Sequence, residues 1–315
     1  MPDPALHQRT LRIGTRGSKL ARWQANWVAD RLQELGHSVE IIEIATQGDK
    51  DAASSIATFS GTGVFTKEIQ RALLASEVDL AVHSLKDLPT DEVTGLILAA
   101  VPPREPPNDV LVSREHKQLN ELPAGALIGT GSLRRQAQLR NLRPDLHVRE
   151  VRGNVDTRLR KLEDGNFAAI VLARAGLERL GLADRITQVL SCDVMLPAVG
   201  QGALGIECRA DDHSTREKLQ PLNDANTHTA VIAERTLLAH LRGGCLAPVG
   251  AWARIENGSL QLSAVVLSPD GTKRVAAAGN VPANADNENA AALGCRVADS
   301  LLTQGAAALI AAARS

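Results

Sequence analysis

Tyrosine is absent from this 315-residue chain, and its other aromatic residues are three tryptophans and three phenylalanines. Surfaces that stack single-stranded nucleic acid need such rings beside basic residues, and the most arginine-rich stretch, residues 130–160, has none. The four cysteines, Cys192, Cys208, Cys245 and Cys295, are widely spaced with no CxxC pair. That spacing fits neither a zinc site nor a disulfide framework, so each reads as a free thiol and no metal is expected. No apolar run approaches the roughly 18 residues of a membrane span, and the start of the chain lacks the basic, apolar, small-residue order of a secretory leader. The expectation is a cytoplasmic protein with no membrane contact. Neither sign of charge is in excess, with 35 Lys+Arg against 36 Asp+Glu. A general nucleic-acid binder would be basic overall.

The chain does have a local imbalance. Residues 130–160 carry arginines at 134, 135, 140, 143, 149, 152, 158 and 160 against only Asp145, Glu150 and Asp156. In a near-neutral chain this is either an anion site or a solvated face. With 44% hydrophobic and 23% charged residues, the sequence has material for two or three domains with proper cores.

Hydrophobic patterning predicts strands at 11–15, 39–44, 78–82, 96–101, 109–113, 126–130, 147–151 and 168–173. Helices are expected after Ser18, over 66–76, from Ser132 and from about Asn154. This alternation implies α/β layering with largely parallel sheets. Pro102, Pro103, Pro106 and Pro107 mark a boundary, since consecutive prolines continue neither element. After a helix at 227–241 the pattern changes to three strand-like runs, 249–255, 260–267 and 272–278. Asn257-Gly258 and Pro269-Asp270-Gly271 separate them, which predicts an antiparallel meander. An alanine-rich helical region over 287–314 could cover one face of it.

Three strand-to-helix junctions carry chemistry. Ser132 caps a helix whose first turn holds Arg134 and Arg135, an unfavourable place for cations unless an anion lies between them. Val151-Arg152-Gly153-Asn154 repeats the arrangement, with Arg158 one turn in. Arginines at two such junctions would converge on one cleft, because ligands in open α/β sheets collect at the carboxyl ends of strands. Arg140, Arg143 and Arg160 read as solvated charges. The third junction, Asp79 to Pro89, runs a buried strand into a turn carrying His83, Lys86 and Asp87. Asp87 is either a group that steadies a developing cation or moves protons, or a turn cap. Arg242-Gly243-Gly244-Cys245 exposes a thiol on an adaptable loop: a nucleophile, an attachment point, or an incidental surface thiol. Cys192, Cys208 and Cys295 read as structural.

Taken in order, six segments resemble the porphobilinogen deaminase (hydroxymethylbilane synthase) family over almost the whole chain. They are Arg12-Ile13-Gly14-Thr15-Arg16-Gly17-Ser18, His83-Ser84-Leu85-Lys86-Asp87-Leu88-Pro89, Gly129-Thr130-Gly131-Ser132-Leu133-Arg134-Arg135, Arg152-Gly153-Asn154-Val155-Asp156-Thr157-Arg158, Leu196-Pro197-Ala198-Val199-Gly200-Gln201-Gly202 and Gly243-Gly244-Cys245. The resemblance implies a monomeric cytoplasmic transferase of haem biosynthesis, binding neither nucleic acid nor membrane. It would join four porphobilinogen molecules head to tail with release of ammonia to give hydroxymethylbilane. The implied cofactor is a dipyrromethane held by a thioether on Cys245. Each pyrrole carries an acetate and a propionate, which gives so many arginines a purpose.

The same resemblance makes Asp87 the catalytic residue, facing the pyrrole N–H and the positive azafulvene left when ammonia departs. It assigns Cys245, Lys86, Ser84, Ser132, Arg134, Arg135, Arg158, Asp49 and Gly202 to the cofactor. Arg16, Ser18, Phe65, Arg152, Arg179 and Gln201 are assigned to the substrate. The implied fold is two α/β domains like those of periplasmic binding proteins and a small α+β domain with a three-stranded antiparallel sheet. The expected boundaries are 5–102 with 202–222, 103–201 and 225–315. The chain departs from the family pattern at Thr62 and Thr58, where lysines are common, at Gln47, where arginine is common, and at Lys19, where proline is usual. Two rivals account for less: a non-catalytic binder of small anions leaves Gly243-Gly244-Cys245 without a purpose, and a nucleic-acid binder lacks the rings.

Overall fold

The computed structural model describes residues 9–46, 66–244 and 247–314. The chain divides into two compact units, one of residues 1–103 and 204–224, the other of residues 104–203 and 225–315. It leaves the first unit between Pro103 and Arg104, inside the proline cluster.

In the first unit, β1 (Leu11–Thr15), β2 (Val39–Glu43), β3 (Leu80–Ser84), β4 (Leu96–Ala100) and β10 (Leu204–Arg209) form one sheet in the order β2-β1-β3-β10-β4. β1 runs parallel to β2 and β3, whereas β10 is antiparallel to β3 and β4. The helix Lys19–Glu34 starts at Ser18, whose side chain accepts from the Ala21 N–H, and buries Ala21, Gln24, Ala25, Val28, Ala29 and Leu32. That spacing of three and four is one helical face. It packs with Leu11, Ile13, Leu80, Val82 and Ile206 on one side of the sheet. On the other side, Ile69 and Leu73 of the helix Lys67–Leu74 pack with Val78, Ala81 and Leu96. Strand alternation then puts His83 and Glu207 on the Ala81 face.

The second unit has β5 (Asp109–Ser113), β6 (Leu127–Gly129), β7 (His147–Arg149), β8 (Ala169–Ala173) and β9 (Gln188–Val189) in the order β7-β6-β8-β5-β9. β6 is parallel to β7 and β8, and β5 is antiparallel to β8 and β9. The two sheets therefore share one strand order and one pattern of directions. In each, an antiparallel strand lies between the third and fifth positions: β5 is the first strand after the chain enters the second unit, and β10 the first after it returns to the first. Largely parallel sheets were expected from the alternation of elements; both are mixed, because these entering strands come in against the others. The α/β class and the pair of similar domains hold.

The remainder of the second unit is the expected meander, β11 (Val249–Glu256), β12 (Ser259–Leu267) and β13 (Arg274–Pro282), antiparallel throughout. Asn257 and Gly258 both have positive φ, as the tight hairpin turn requires. The helices Ala225–His240 and Asn287–Thr303 cover one face through Ala233, Leu237, Leu293, Val297 and Leu301. Gly305, at φ 95°, breaks the alanine-rich region into two helices, the second spanning Ala306–Ala312.

One carboxylate ties this unit together. Glu234 is wholly buried; Arg104 donates to it at 2.6 Å, and the N–H groups of Gly200 and Ala253 donate at 2.7 and 2.8 Å. Close by, the Glu105 N–H donates to the Gly202 carbonyl at 3.3 Å, and a Cβ on Gly202 would lie 2.3 Å from the Glu105 carbonyl oxygen. Only glycine permits that approach. Replacing Glu234 by alanine removes the acceptor of a largely buried guanidinium and two N–H groups. The Glu234→Ala chain should lose about 3–5 kcal/mol in urea denaturation; a loss under about 1 kcal/mol, the ordinary scale of a point change, would contradict this role.

Candidate active site

In the first unit, β1 and β3 are parallel neighbours with Ile13 opposite Leu80, so their carboxyl ends lie side by side. β1 runs into Arg16-Gly17-Ser18, and β3 into a 3-10 turn at Leu85–Asp87. Arg16, Ser18, Gln24, Thr66, His83, Ser84 and Asp87 line a hollow at this point. Gln24 Nε2 donates to Ser84 Oγ at 2.8 Å. Below, the buried His83 Nε2 lies 3.0 Å from Glu207 Oε2, off the direction a hydrogen bond needs, while Gln70 Nε2 donates to both Glu207 oxygens at 3.2 Å. Asp87 is half-buried, and its carboxylate caps no backbone N–H among the described residues. The turn-cap reading of Asp87 therefore has no support. Lys86 is half-buried in the same turn.

In the second unit, the junctions after β6 and β7 are adjacent. Ser132 caps the helix Leu133–Leu142, accepting from the Arg135 N–H, and Asn154 caps the helix Val155–Glu163, accepting from the Thr157 N–H. A Cβ on Gly131 would stand 2.9 Å from the Val151 carbonyl oxygen and 3.7 Å from Arg158 Nη2, so the first turn admits the second only because it carries glycine. Arg158 Nε donates to the Gly153 carbonyl at 2.7 Å, and Arg152 pairs with Glu150.

Arg134 and Arg135 do have an anion between them, and the chain itself supplies it. They are 3% and 5% exposed and converge on Asp109, which is wholly buried. The anion that offsets two cations at this helix start is thus a carboxylate of the chain. Burial alone would raise the Asp109 pKa; Arg134, Arg135 and a hydrogen bond from Gln201 outweigh it and hold the carboxyl below its ordinary range. Gln201 Nε2 also donates to the Pro107 carbonyl at 2.6 Å. Arg179 is buried and donates from Nη2 to the Gly202 carbonyl at 2.7 Å, with burial lowering its pKa and Glu105 opposing.

Arg140 and Arg143, expected to be solvated, are half-buried and held by backbone carbonyls. Arg140 donates to the carbonyls of Pro269 and Val148 at 2.6 and 3.2 Å, and Arg143 to those of Leu119 and Leu122 at 2.5 and 2.9 Å. These carbonyls belong to other segments, so each arginine ties the end of its helix to a neighbouring loop or strand while satisfying backbone acceptors there. Arg160 is exposed, as expected. Cys192 and Cys208 are buried, which pushes each thiol up to about 11. Cys245, Asp49, Phe65, Gln47, Thr58 and Thr62 lie outside the described residues. Gln24, Thr66 and Asp109 had not been anticipated at the site. A glutamine on a helix face and an aspartate opening a strand give no sequence signal until the chain partners that use them are known.

These features define an α/β protein with a polar hollow at the strand ends of one unit and a buried cationic cluster in the other. The profile of the porphobilinogen deaminase dipyromethane cofactor binding domain matches residues 11–217, and that of the porphobilinogen deaminase C-terminal domain matches residues 228–303. A porphobilinogen deaminase of Desulforudis audaxviator is 51% identical over 310 residues, covering 98% of this chain and 99% of the relative. Those of Pelotomaculum thermopropionicum and Brevibacillus brevis are 49% and 47% identical, over 98% and 95% of this chain and 98% and 96% of each relative. An ancestral cationic amino acid solute binding protein of known structure covers 68% of this chain and 87% of its own at 15% identity, with a TM-score of 0.40. That likeness is too loose to add to the strand order described above. The chain belongs to the porphobilinogen deaminase family.

The depressed Asp109 pKa carries a pH dependence with a definite sign. A carboxyl whose folded pKa lies below its unfolded value stabilises the fold above the unfolded value, 3.8, and loses that contribution as pH falls. Urea denaturation from about pH 5 to about pH 3 should show stability declining more steeply for the native chain than for Asp109→Asn. Equal slopes would mean that Asp109 titrates normally.

Proposed function

We propose that this chain is a porphobilinogen deaminase: a transferase that joins four porphobilinogen molecules head to tail, releasing ammonia, to give hydroxymethylbilane on the path to haem. The observation that carries the reading is the 49–51% identity to relatives of that name over 98% of the chain. We further propose a cytoplasmic monomer that binds neither nucleic acid nor membrane; no helix among the described residues is long and apolar enough to cross a membrane. The working domains are residues 5–102 with 202–222, residues 103–201 and residues 225–315.

The cofactor is a dipyrromethane, attached in this reading at Cys245. The donor set fits such a group, since Arg16, Ser18 and Ser84 at one hollow and the cationic cluster in the second unit offer positive charge and hydroxyls to carboxylates. When bound, the group supplies the nucleophilic pyrrole carbon from which the chain grows. Lys86, Ser84, Ser132, Arg134, Arg135, Arg158, Asp49 and Gly202 hold it. Arg134 and Arg135 do so as a pair already half-neutralised by Asp109. Arg16, Ser18, Phe65, Arg152, Arg179 and Gln201 hold the incoming pyrrole, joined by Gln24, which fixes Ser84. Asp87, in the hollow beside Arg16 and His83, presents a carboxylate to the positive charge that appears as ammonia leaves.

Intact mass tests the reading directly. The purified chain should be heavier than its sequence by one dipyrromethane, and an unmodified chain inert to an aldehyde dye for dipyrromethanes would leave only an anion binder. Cys245→Ser should give a folded protein without that added mass; unchanged turnover would rule out the attachment point. For Asp87→Asn, a rate loss well beyond about tenfold is expected, because about 1.4 kcal/mol of barrier is the least a charge facing the reacting centre should supply. A smaller loss would remove Asp87 from the chemistry.

A further inference from the structure

The cluster around Asp109 has a charge count that hydrogen bonds alone do not explain. Asp109 Oδ2 accepts from Arg134 Nη1 at 2.7 Å, and Oδ1 accepts from Arg135 Nε at 2.9 Å and Gln201 Nε2 at 2.8 Å. Arg135 Nη2 lies 2.8 Å from Oδ1. Arg134 Nη2 also donates to Oδ1, at 3.3 Å. The remaining bonds run to neutral groups: Arg134 Nη1 to the Leu196 carbonyl at 2.7 Å, Arg135 Nη1 to the Val171 carbonyl at 3.1 Å and Arg135 Nη2 to Gln201 Oε1 at 3.4 Å. Carbonyls satisfy N–H groups without supplying charge, so two buried guanidiniums share one carboxylate. Arg134 Nε is also buried with no acceptor among the described residues. An uncompensated charge out of water is costly, and burial already lowers the Arg135 pKa despite Asp109.

We propose that Asp109 is a positioning residue, the permanent counterion of Arg134 and Arg135, which leaves the pair one positive charge in excess and so fits it to a single carboxylate of the bound pyrrole chain. This rests on the deaminase reading above. Asp109 sets how many carboxylates the pair takes; Gln201, bonded to both Asp109 and the Pro107 carbonyl, fixes where it stands. Without Asp109 the pair would hold two uncompensated charges. Without one arginine the cluster would be neutral and have no electrostatic reason to take an anion.

The count predicts a rescue that a purely structural aspartate does not. Intact mass gives the fraction of purified chain that carries dipyrromethane. Arg134→Gln neutralises the cluster and should lower loading about tenfold, the scale of one charge-assisted contact. Adding Asp109→Asn to Arg134→Gln restores one excess charge and should recover most of that loss. If Asp109 only supports the fold, the double variant loads no better than Arg134→Gln, which overturns the proposal.

If the native chain carries no dipyrromethane, the deaminase reading fails, and the charge count is tested separately. In the Cys245→Ser chain, sodium acetate should raise the melting temperature saturably above equal sodium chloride, and Arg134→Gln in that background should abolish the difference. The same titration decides the matter if the double variant does not accumulate. An equal response in both chains overturns the proposal.

Discussion

The buried carboxylate of Glu234 is the constraint on which the second unit depends. Its two oxygens serve Arg104 at the start of the unit, Gly200 where the chain is about to leave it, and Ala253 in the middle of β11. These groups come from three stretches far apart in sequence, and a single helix residue fixes all of them. Arg104 continues the chain of contacts through Nε to the Gln201 carbonyl at 2.8 Å, and the Gln201 side chain reaches Asp109. The helix of the C-terminal portion is thereby joined by hydrogen bonds to the arginine pair at the start of Leu133–Leu142. A carboxylate buried this deeply is tolerated because every acceptor site has a donor and one donor is charged.

The arginines follow the same physics, and their division is more informative than their number. A guanidinium can be buried only if its N–H groups find carboxylates or carbonyls. Arg134 and Arg135 use Asp109, Arg140 and Arg143 at the end of the same helix use backbone carbonyls of neighbouring segments, and Arg152 uses Glu150. The positive stretch that looks uniform in sequence thus includes helix-end donors, a buried pair with surplus charge, and exposed Arg160. Among the described residues of 130–160, the buried pair is where low exposure, two cations on one carboxylate and an N–H without an acceptor coincide. In the first unit, Arg9, Arg12 and Arg209 instead gather on Asp79 at the foot of β3, where they serve the sheet and have no part in the hollow.

Local signals in the sequence are legible where one residue type has one physical consequence. Ser18, Ser132 and Asn154 cap the helices they precede, and Asn257-Gly258 makes the hairpin turn, because hydroxyls, amides and positive φ act within a few residues. Strand direction was not legible, since β5 and β10 look like any other short apolar run and their antiparallel pairing depends on where the chain enters each unit. β10 was also obscured by Gly205 and Glu207, the latter tolerated by Gln70 from a helix more than a hundred residues earlier. Burial of Arg134 and Arg135 was hidden for the same reason. Asp109 lies 25 residues from Arg134, and nothing local announces that the two meet.

The repeated strand order gives the site a common origin in both units. β1 and β6 hold the same place in their sheets, each between two parallel neighbours. Each runs directly into a serine-capped helix, through Thr15-Arg16-Gly17-Ser18 in one case and Thr130-Gly131-Ser132 in the other. A central parallel strand ending at a helix N-terminus exposes free backbone N–H groups and a positive dipole end. Carboxylates are favoured there before any arginine is added. The arginines then differ by unit: Arg16 precedes its cap and lines a hollow, whereas Arg134 and Arg135 follow theirs and turn inward to Asp109. One backbone arrangement used twice therefore places an arginine on the wall of a hollow in one unit and a buried arginine pair on a carboxylate in the other. The two differ in where the arginine stands relative to the capping serine and in whether a buried aspartate meets it.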